Sequence, residues 1–155
     1  MLKNYTSTVP ANRSISYIEE KLAGHKATQI LKEYTVDGKV SAVAFMLILN
    51  GREMPFKLPA RVSECEAILR QSIRRPNLQK LKRASEQAER TAWKIVSDWI
   101  DAQMAMIDLT QVEFMEVFLP YVYNPVSKQT FFERIKSQGY KGLLPGTVKL
   151  ENTTP

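Results

Sequence analysis

Cysteine and histidine, the usual ligands of zinc and common catalytic groups, are scarce in this chain. Its 155 residues include one cysteine, Cys65, and one histidine, His25. A single cysteine excludes an intrachain disulfide and fits a reducing compartment. A single histidine leaves no zinc cluster and no catalytic triad with a nearby partner. We therefore interpret Cys65 as a small apolar core residue and His25, which follows Gly24, as part of a loop.

Long apolar runs and catalytic motifs are also missing. No segment approaches the roughly eighteen consecutive apolar residues of a membrane-spanning helix, and the N-terminus holds no apolar signal core. Neither a glycine-rich phosphate loop nor a nucleophile elbow occurs. The sequence therefore predicts a cytoplasmic protein that has no catalytic activity, cofactor, metal site or membrane partner.

Acidic residues are absent from one long stretch, and basic residues are absent from the next. No Asp or Glu lies between Ala67 and Ser85, which enclose six basic residues. No Lys or Arg lies between Ile95 and Ser127, which enclose five acidic residues. The chain as a whole has a net charge of +6 and an apolar content of 44%. A soluble, basic protein of this kind favours an acidic partner, although positive charge also serves solubility alone.

The hydrophobic pattern predicts an antiparallel meander in the first half of the chain. The expected strands are Thr28–Val36, Val40–Leu49 and Glu53–Leu58. Asp37-Gly38 and Asn50-Gly51 suit the left-handed turns of tight hairpins between them. The second strand is apolar on both faces and should be central, whereas Pro55 cannot donate to a ladder and should lie at an edge. Residues Lys3–Val9 alternate weakly, which predicts a short additional strand.

Helical spacing of apolar residues predicts five helices. They cover Ile15–Ala23, a segment from Ser63 to the break at Arg75-Pro76-Asn77, and then 78–109, 111–119 and 131–138. Capping boxes are expected at Ser16–Glu19, Ser63–Glu66, Thr110–Glu113 and Thr130–Glu133. The predicted fold is α+β: an antiparallel three- to four-stranded meander packed on a long helix, with a helical C-terminal half. A single domain should cover 1–141, followed by a flexible tail over 142–155.

The basic stretch is the main candidate for a binding site. The break between two predicted helices is rimmed by cations that suit phosphate groups. These candidate nucleic-acid-binding residues are Arg70, Arg74, Arg75, Lys80, Lys82 and Arg83. The simpler interpretation is a solvated junction whose arginines pair with the acidic stretch.

The acidic stretch is the second candidate. Its residues Asp98, Asp101 and Asp108 lie on the long helix, and Glu113 and Glu116 follow. Paired carboxylates can hold a divalent metal, as in a metal-dependent nuclease, although a solvated helix face is the more ordinary interpretation.

Six aromatic residues cluster late in the chain. They can close the core, or they can form a surface for self-association or for a partner. They are Phe114, Phe118, Tyr121, Tyr123, Phe131 and Phe132.

Three stretches resemble small uncharacterised proteins carried by bacterial phages and integrated mobile elements. They are Met54–Arg61, Glu86–Trp99 and Glu116–Tyr123. The resemblance covers most of the chain and brings no named activity. It implies work on phage DNA or interference with a host system.

Together these patterns predict a non-catalytic, phage-type nucleic-acid-binding protein that contacts phosphates without reading sequence, with DNA as the first candidate and RNA as the second. The alternative is a protein-interaction module, such as an inhibitor of a host defence complex. In that case Asp98, Asp101 and Asp108 would contact the partner by mimicking phosphates.

Overall fold

The computed structural model describes residues 1–143 and 145–146 and has the predicted α+β fold. A three-stranded antiparallel sheet packs on a long helix, and the C-terminal half contains further helices. In chain order the elements are α1 (Ala11–Gly24), β1 (Gln29–Tyr34), β2 (Val40–Leu49), β3 (Arg52–Pro59), α2 (Val62–Gln71), α3 (Leu78–Asp108), α4 (Phe114–Phe118), a 3-10 turn (Leu119–Tyr121), β4 (Tyr123–Asn124), β5 (Gln129–Thr130) and α5 (Phe131–Ser137).

The sheet confirms the predicted meander. Its strand order is β1-β2-β3, so the strand that is apolar on both faces is central. Pro55 lies on the outer strand β3, opposite Met46 of β2. The hairpin turns use left-handed backbone at Gly38 (φ 83°), Asn50 (φ 51°) and Gly51 (φ 76°), which is why the two turn dipeptides were informative.

The core lies between the sheet, α1 and the middle of α3. Trp93 and Ile100 of α3 are completely buried, and so are Ile18 of α1 and Phe56 of β3. The ring of Trp93 also donates a hydrogen bond from Nε1 to the carbonyl oxygen of Val40, at 3.2 Å. A second, smaller apolar cluster joins α2 to α3 through Cys65, Ala88 and Ala92. The N-terminal part of α3 is therefore fixed against α2, and its middle against the sheet.

The predicted strand over Lys3–Val9 is wrong. This segment forms turns, and side chains of α3 satisfy part of its backbone. The hydroxyl of Thr91 donates to the carbonyl of Asn4 at 2.9 Å, and the amide of Gln87 donates to the carbonyl of Ser7 at 3.0 Å. These contacts, together with a left-handed φ of 60° at Asn4, replace the regular ladder that the weak alternation suggested.

Three of the four predicted capping boxes are wrong. α1 begins four residues before Ile15, after Pro10, and α2 begins after Arg61; neither start has a side-chain cap. Thr110 adopts a left-handed φ of 57°, and Glu113 caps α4 instead, in a capping box with Glu116. At the fourth position Thr130 does cap α5, accepting a hydrogen bond from the backbone N–H of Glu133, but the Glu133 side chain accepts from the Thr130 hydroxyl at 3.2 Å and not from its backbone.

Of the helices in the described residues, none is long and apolar enough to cross a membrane. Most of the predicted tail, 142–155, lies outside the described residues.

Candidate functional site

The six candidate cations lie where α2 gives way to α3. α2 ends at Gln71, and the backbone then turns through Arg75, whose φ of 53° is left-handed. Asn77 caps α3, because its side chain accepts a hydrogen bond from the backbone N–H of Lys80 at 2.8 Å. All six cationic side chains are exposed. We call this set the basic junction; it comprises Arg70, Arg74, Arg75, Lys80, Lys82 and Arg83.

Lys80 holds the basic junction in shape. Its ammonium group donates to the carbonyl oxygens of Arg74 at 2.7 Å and Arg75 at 3.2 Å. These carbonyls belong to the turn that follows α2, where no helical hydrogen bond satisfies them. Lys80 therefore ties the turn to the first residues of α3 while it keeps its positive charge, and it has one further N–H to donate.

Carboxylates of the described residues neutralise only one of the six cations. Arg70 donates from Nε to Glu66 one helical turn earlier, at 2.9 Å. Within 1–143 and 145–146, no carboxylate oxygen lies within 4.0 Å of a side-chain nitrogen of the other five. Many cations outside the junction are paired, for example Lys32 with Glu19 at 2.9 Å and Lys57 with Glu33 at 2.8 Å. The junction is thus a concentration of unneutralised positive charge.

A cleft of about 490 Å³ opens at the basic junction between α2 and α3. Three of the six cations line it, namely Arg74, Lys80 and Arg83, and the others do not. The remaining lining residues are Leu69, Ser72, Ile73, Ala84 and Gln87. The apolar ones lie deeper than the cations, since Ala84 is buried and the other two are half-buried.

The apolar part of this cleft was missed by reasoning from charge. A helical signal was nevertheless present, because Lys80, Arg83, Ala84 and Gln87 have the i, i+3, i+4, i+7 spacing of one helix face. Lys82 falls outside that spacing and projects from another face of α3. Reading the basic stretch by helix face would have separated Lys82 from the lysine and arginine that line the cleft.

Two candidate acidic residues of α3, Asp98 and Asp101, have partners within the chain. Asp98 accepts hydrogen bonds from Lys94 and Asn4, each at 2.8 Å. Asp101 accepts from the hydroxyl of Tyr17 at 2.6 Å, and Lys21 lies 3.5 Å away. These contacts fasten the N-terminal segment and α1 to α3.

The pKa values of both carboxyls reflect these contacts. Burial acts to raise the pKa of Asp98, but the hydrogen bonds from Lys94 and Asn4 outweigh burial and hold it below its ordinary value. The hydrogen bond from Tyr17, with the charge of Lys21, lowers the pKa of Asp101. Both residues therefore stabilise the fold in their ionised forms.

The sole histidine lies at the end of α1 and reaches α3. Its Nε2 is 2.8 Å from a carboxylate oxygen of Asp108, and its Nδ1 is 2.8 Å from the carbonyl oxygen of Lys21. His25 thus packs the loop after α1 against the end of α3. Among the described residues, no group of three or more His, Cys, Asp or Glu side chains is arranged to hold a metal ion. The nuclease alternative gains no support from this arrangement.

Cys65 and most of the aromatic cluster are structural. Burial raises the pKa of the Cys65 thiol, in line with its interpretation as a core residue. Phe114 and Phe118 stack at 4.2 Å between ring centroids, and Phe118 meets Trp99 edge to face at 5.6 Å. Phe132 differs, since 46% of it is exposed.

The comparison of this chain with family models, with curated proteins and with solved structures finds no match.

Proposed function

We propose that this protein binds nucleic acid, DNA in the first place, through the basic junction and without catalysis. The observation that carries the proposal is that five of the six junction cations have no carboxylate partner among the described residues. Unneutralised cations on a fixed turn suit phosphate oxygens, and guanidinium groups can donate two parallel hydrogen bonds to one phosphate. The resemblance to phage and mobile-element proteins stays a prediction, and binding by the junction does not depend on it.

The expected contacts are to the phosphate backbone, so binding should not depend on base sequence. The turn is held by Lys80 and by the Asn77 cap, so the backbone that carries the cations needs little ordering on binding, and the entropy cost falls on their side chains. Each phosphate that a cation neutralises releases condensed counterions, and affinity should therefore fall steeply as salt is added.

The decisive variant reverses two junction charges, Arg74→Glu and Arg83→Glu. Its matched control is Arg13→Glu with Lys136→Glu, which makes the same change in net charge at two exposed sites without a carboxylate partner among the described residues. Affinity for a labelled DNA oligonucleotide is measured by fluorescence anisotropy over a series of salt concentrations. We expect the junction variant to lose most of its affinity. The slope of log affinity against log salt concentration should also be shallower, by the amount that about two phosphate contacts contribute.

Equal affinity losses in the junction variant and the control would overturn the proposal, because net charge alone would then account for binding. Circular dichroism establishes that both variants fold. The alternative, a partner surface on the acidic helix, stays a prediction. Its residues Asp98 and Asp101 are already engaged with α1 and the N-terminal segment, so no observation favours it.

A further inference from the structure

The cleft at the basic junction contains more than phosphate binding requires. Phosphate groups need cations and N–H donors, and an exposed turn supplies those without a cavity. Here Arg74, Lys80 and Arg83 border a cleft of about 490 Å³ whose deeper wall is apolar. The cleft is shallow and open to solvent, and its cationic rim and partly apolar floor suit a ligand that is anionic at one end and flat and weakly polar at the other.

Ile73 supports a binding role for this wall. It is half-buried in the cleft, yet it belongs to neither of the two hydrophobic clusters that hold the described fold together. Leu69, in contrast, packs against the cluster of Cys65, Ala88 and Ala92 and has a structural reason to be apolar. The side chain of Ile73 is therefore free of both described clusters and available for contact with a ligand beside the three cations.

A base-paired duplex would leave the apolar wall unused. Its bases are stacked on one another and paired, and its outer surface presents phosphates and sugars. A single strand differs because an unstacked base can turn away from the backbone and enter a pocket while the neighbouring phosphates stay outside. Guanidinium planes add a second kind of contact, because they stack on bases as well as pairing with phosphates.

We propose that the cleft receives an unpaired base, and that the preferred ligand of the basic junction is single-stranded nucleic acid. The apolar face of the base would lie against Ile73 and Ala84, and Arg74 and Arg83 would hold the flanking phosphates. This inference rests on the proposed function, since it names the form of nucleic acid that the same cations bind.

The test compares three probes of equal length on the wild-type protein: an oligothymidylate, a strand of the same backbone that lacks bases, and a duplex. The basic junction can contact the phosphates of all three, but only the first offers unpaired bases. We expect the oligothymidylate to bind more tightly than the abasic strand, on the order of tenfold, which is the typical contribution of one stacked base in proteins that bind single strands. We also expect it to bind more tightly than the duplex.

Two matched substitutions locate the base. Ile73→Ser removes apolar surface inside the cleft without a change of charge. Ile68→Ser is the control, because Ile68 lies on α2 just before the turn that carries Ile73, is 48% exposed and does not line the cleft. Ile73→Ser should bring the affinities for the oligothymidylate and the abasic strand close together, whereas Ile68→Ser should keep them apart.

The outcomes separate the two proposals. If the oligothymidylate and the abasic strand bind the wild type equally, while Arg74→Glu with Arg83→Glu weakens both, base insertion is overturned and phosphate binding stands. Tighter binding of the duplex than of the oligothymidylate overturns base insertion in the same way. If no probe binds, the proposed function fails, and the cleft proposal fails with it.

Discussion

Trp93 joins the long helix to the central strand by two interactions at once. It is completely buried, and its Nε1 donates to the carbonyl of Val40 at 3.2 Å. Trp93→Phe removes the donor and leaves the half-buried carbonyl of Val40 without this partner, besides opening a small cavity. We expect a loss of about 2–4 kcal/mol in the free energy of unfolding, measured by urea denaturation.

Trp99 provides the comparison, since it lies on the same helix and packs edge to face on Phe118 and Tyr121. No hydrogen bond of its ring nitrogen occurs within the described residues, so Trp99→Phe should cost less than Trp93→Phe. A larger loss for Trp99→Phe would show that the bond to Val40 contributes little.

The cysteine offers a second test at the level of one residue. Cys65 is 5% exposed, and burial raises the pKa of its thiol, so little thiolate forms near neutral pH. We expect a disulfide reagent to modify Cys65 slowly in the native protein and rapidly in urea, with absorbance of the released thiol as the measurement. Modification of the native protein at the rate of a free thiol would contradict its place between α2 and α3.

The turn between α2 and α3 allows charge and backbone to be tested separately. Arg75 has a φ of 53°, a conformation that glycine adopts without strain and alanine does not. Arg75→Gly and Arg75→Ala both delete one exposed cation and should weaken DNA binding alike. In both, the slope of log affinity against log salt concentration should fall by about the contribution of one phosphate contact. Arg75→Gly should be the more stable of the two by about 1 kcal/mol in thermal unfolding.

This comparison can fail in two distinct ways. Unchanged affinity in both variants would remove Arg75 from the binding surface. Equal stability of the two would mean that the turn relaxes away from the left-handed backbone when the arginine is lost.

Elements were predictable from the sequence where a local signal decided the structure. The hairpins followed from Asp37-Gly38 and Asn50-Gly51, because few residues tolerate left-handed backbone, and Val40–Leu49 was predicted with its observed bounds. The long helix was also predicted to within one residue, because its apolar spacing persists over many turns.

Elements were not predictable where distant contacts decided the structure. The N-terminal segment reads as a strand, but Thr91 and Gln87, more than eighty residues away, bond to its carbonyls. The same limit applies to the candidate site. Charge alone located the basic junction, whereas the pairing of Arg70 with Glu66 and the apolar wall of the cleft depend on how α2 packs against α3.

The whole molecule has two separate systems of charge along one helix. The cations of the basic junction lie where α2 ends and α3 begins, and the acids that anchor α1 and the N-terminal segment lie further along α3. From Lys80 to Asp98 the axis of α3 extends about 27 Å, and exposed charges are screened over about 8 Å at physiological salt. Nucleic-acid affinity and acid stability should therefore respond to different residues.

The double variant Asp98→Asn with Asp101→Asn tests this separation. Both carboxyls have a pKa below their ordinary value in the folded protein, so each stabilises the fold above the unfolded pKa of about 4 and stops doing so as pH falls through the lower, folded value. The variant should unfold at lower urea than the wild type at pH 7, and this difference should shrink below about pH 4.

The affinity of the same variant for DNA at neutral pH and physiological salt should match that of the wild type, because the junction cations are untouched and lie beyond the screening distance. Anisotropy on the folded variant measures this. A large loss of affinity would contradict a site confined to the basic junction, and it would transfer the binding role to the acidic part of α3. If the variant keeps its affinity for DNA and loses free energy of unfolding at pH 7 but not below about pH 4, then the start of α3 binds DNA and its later part stabilises the fold.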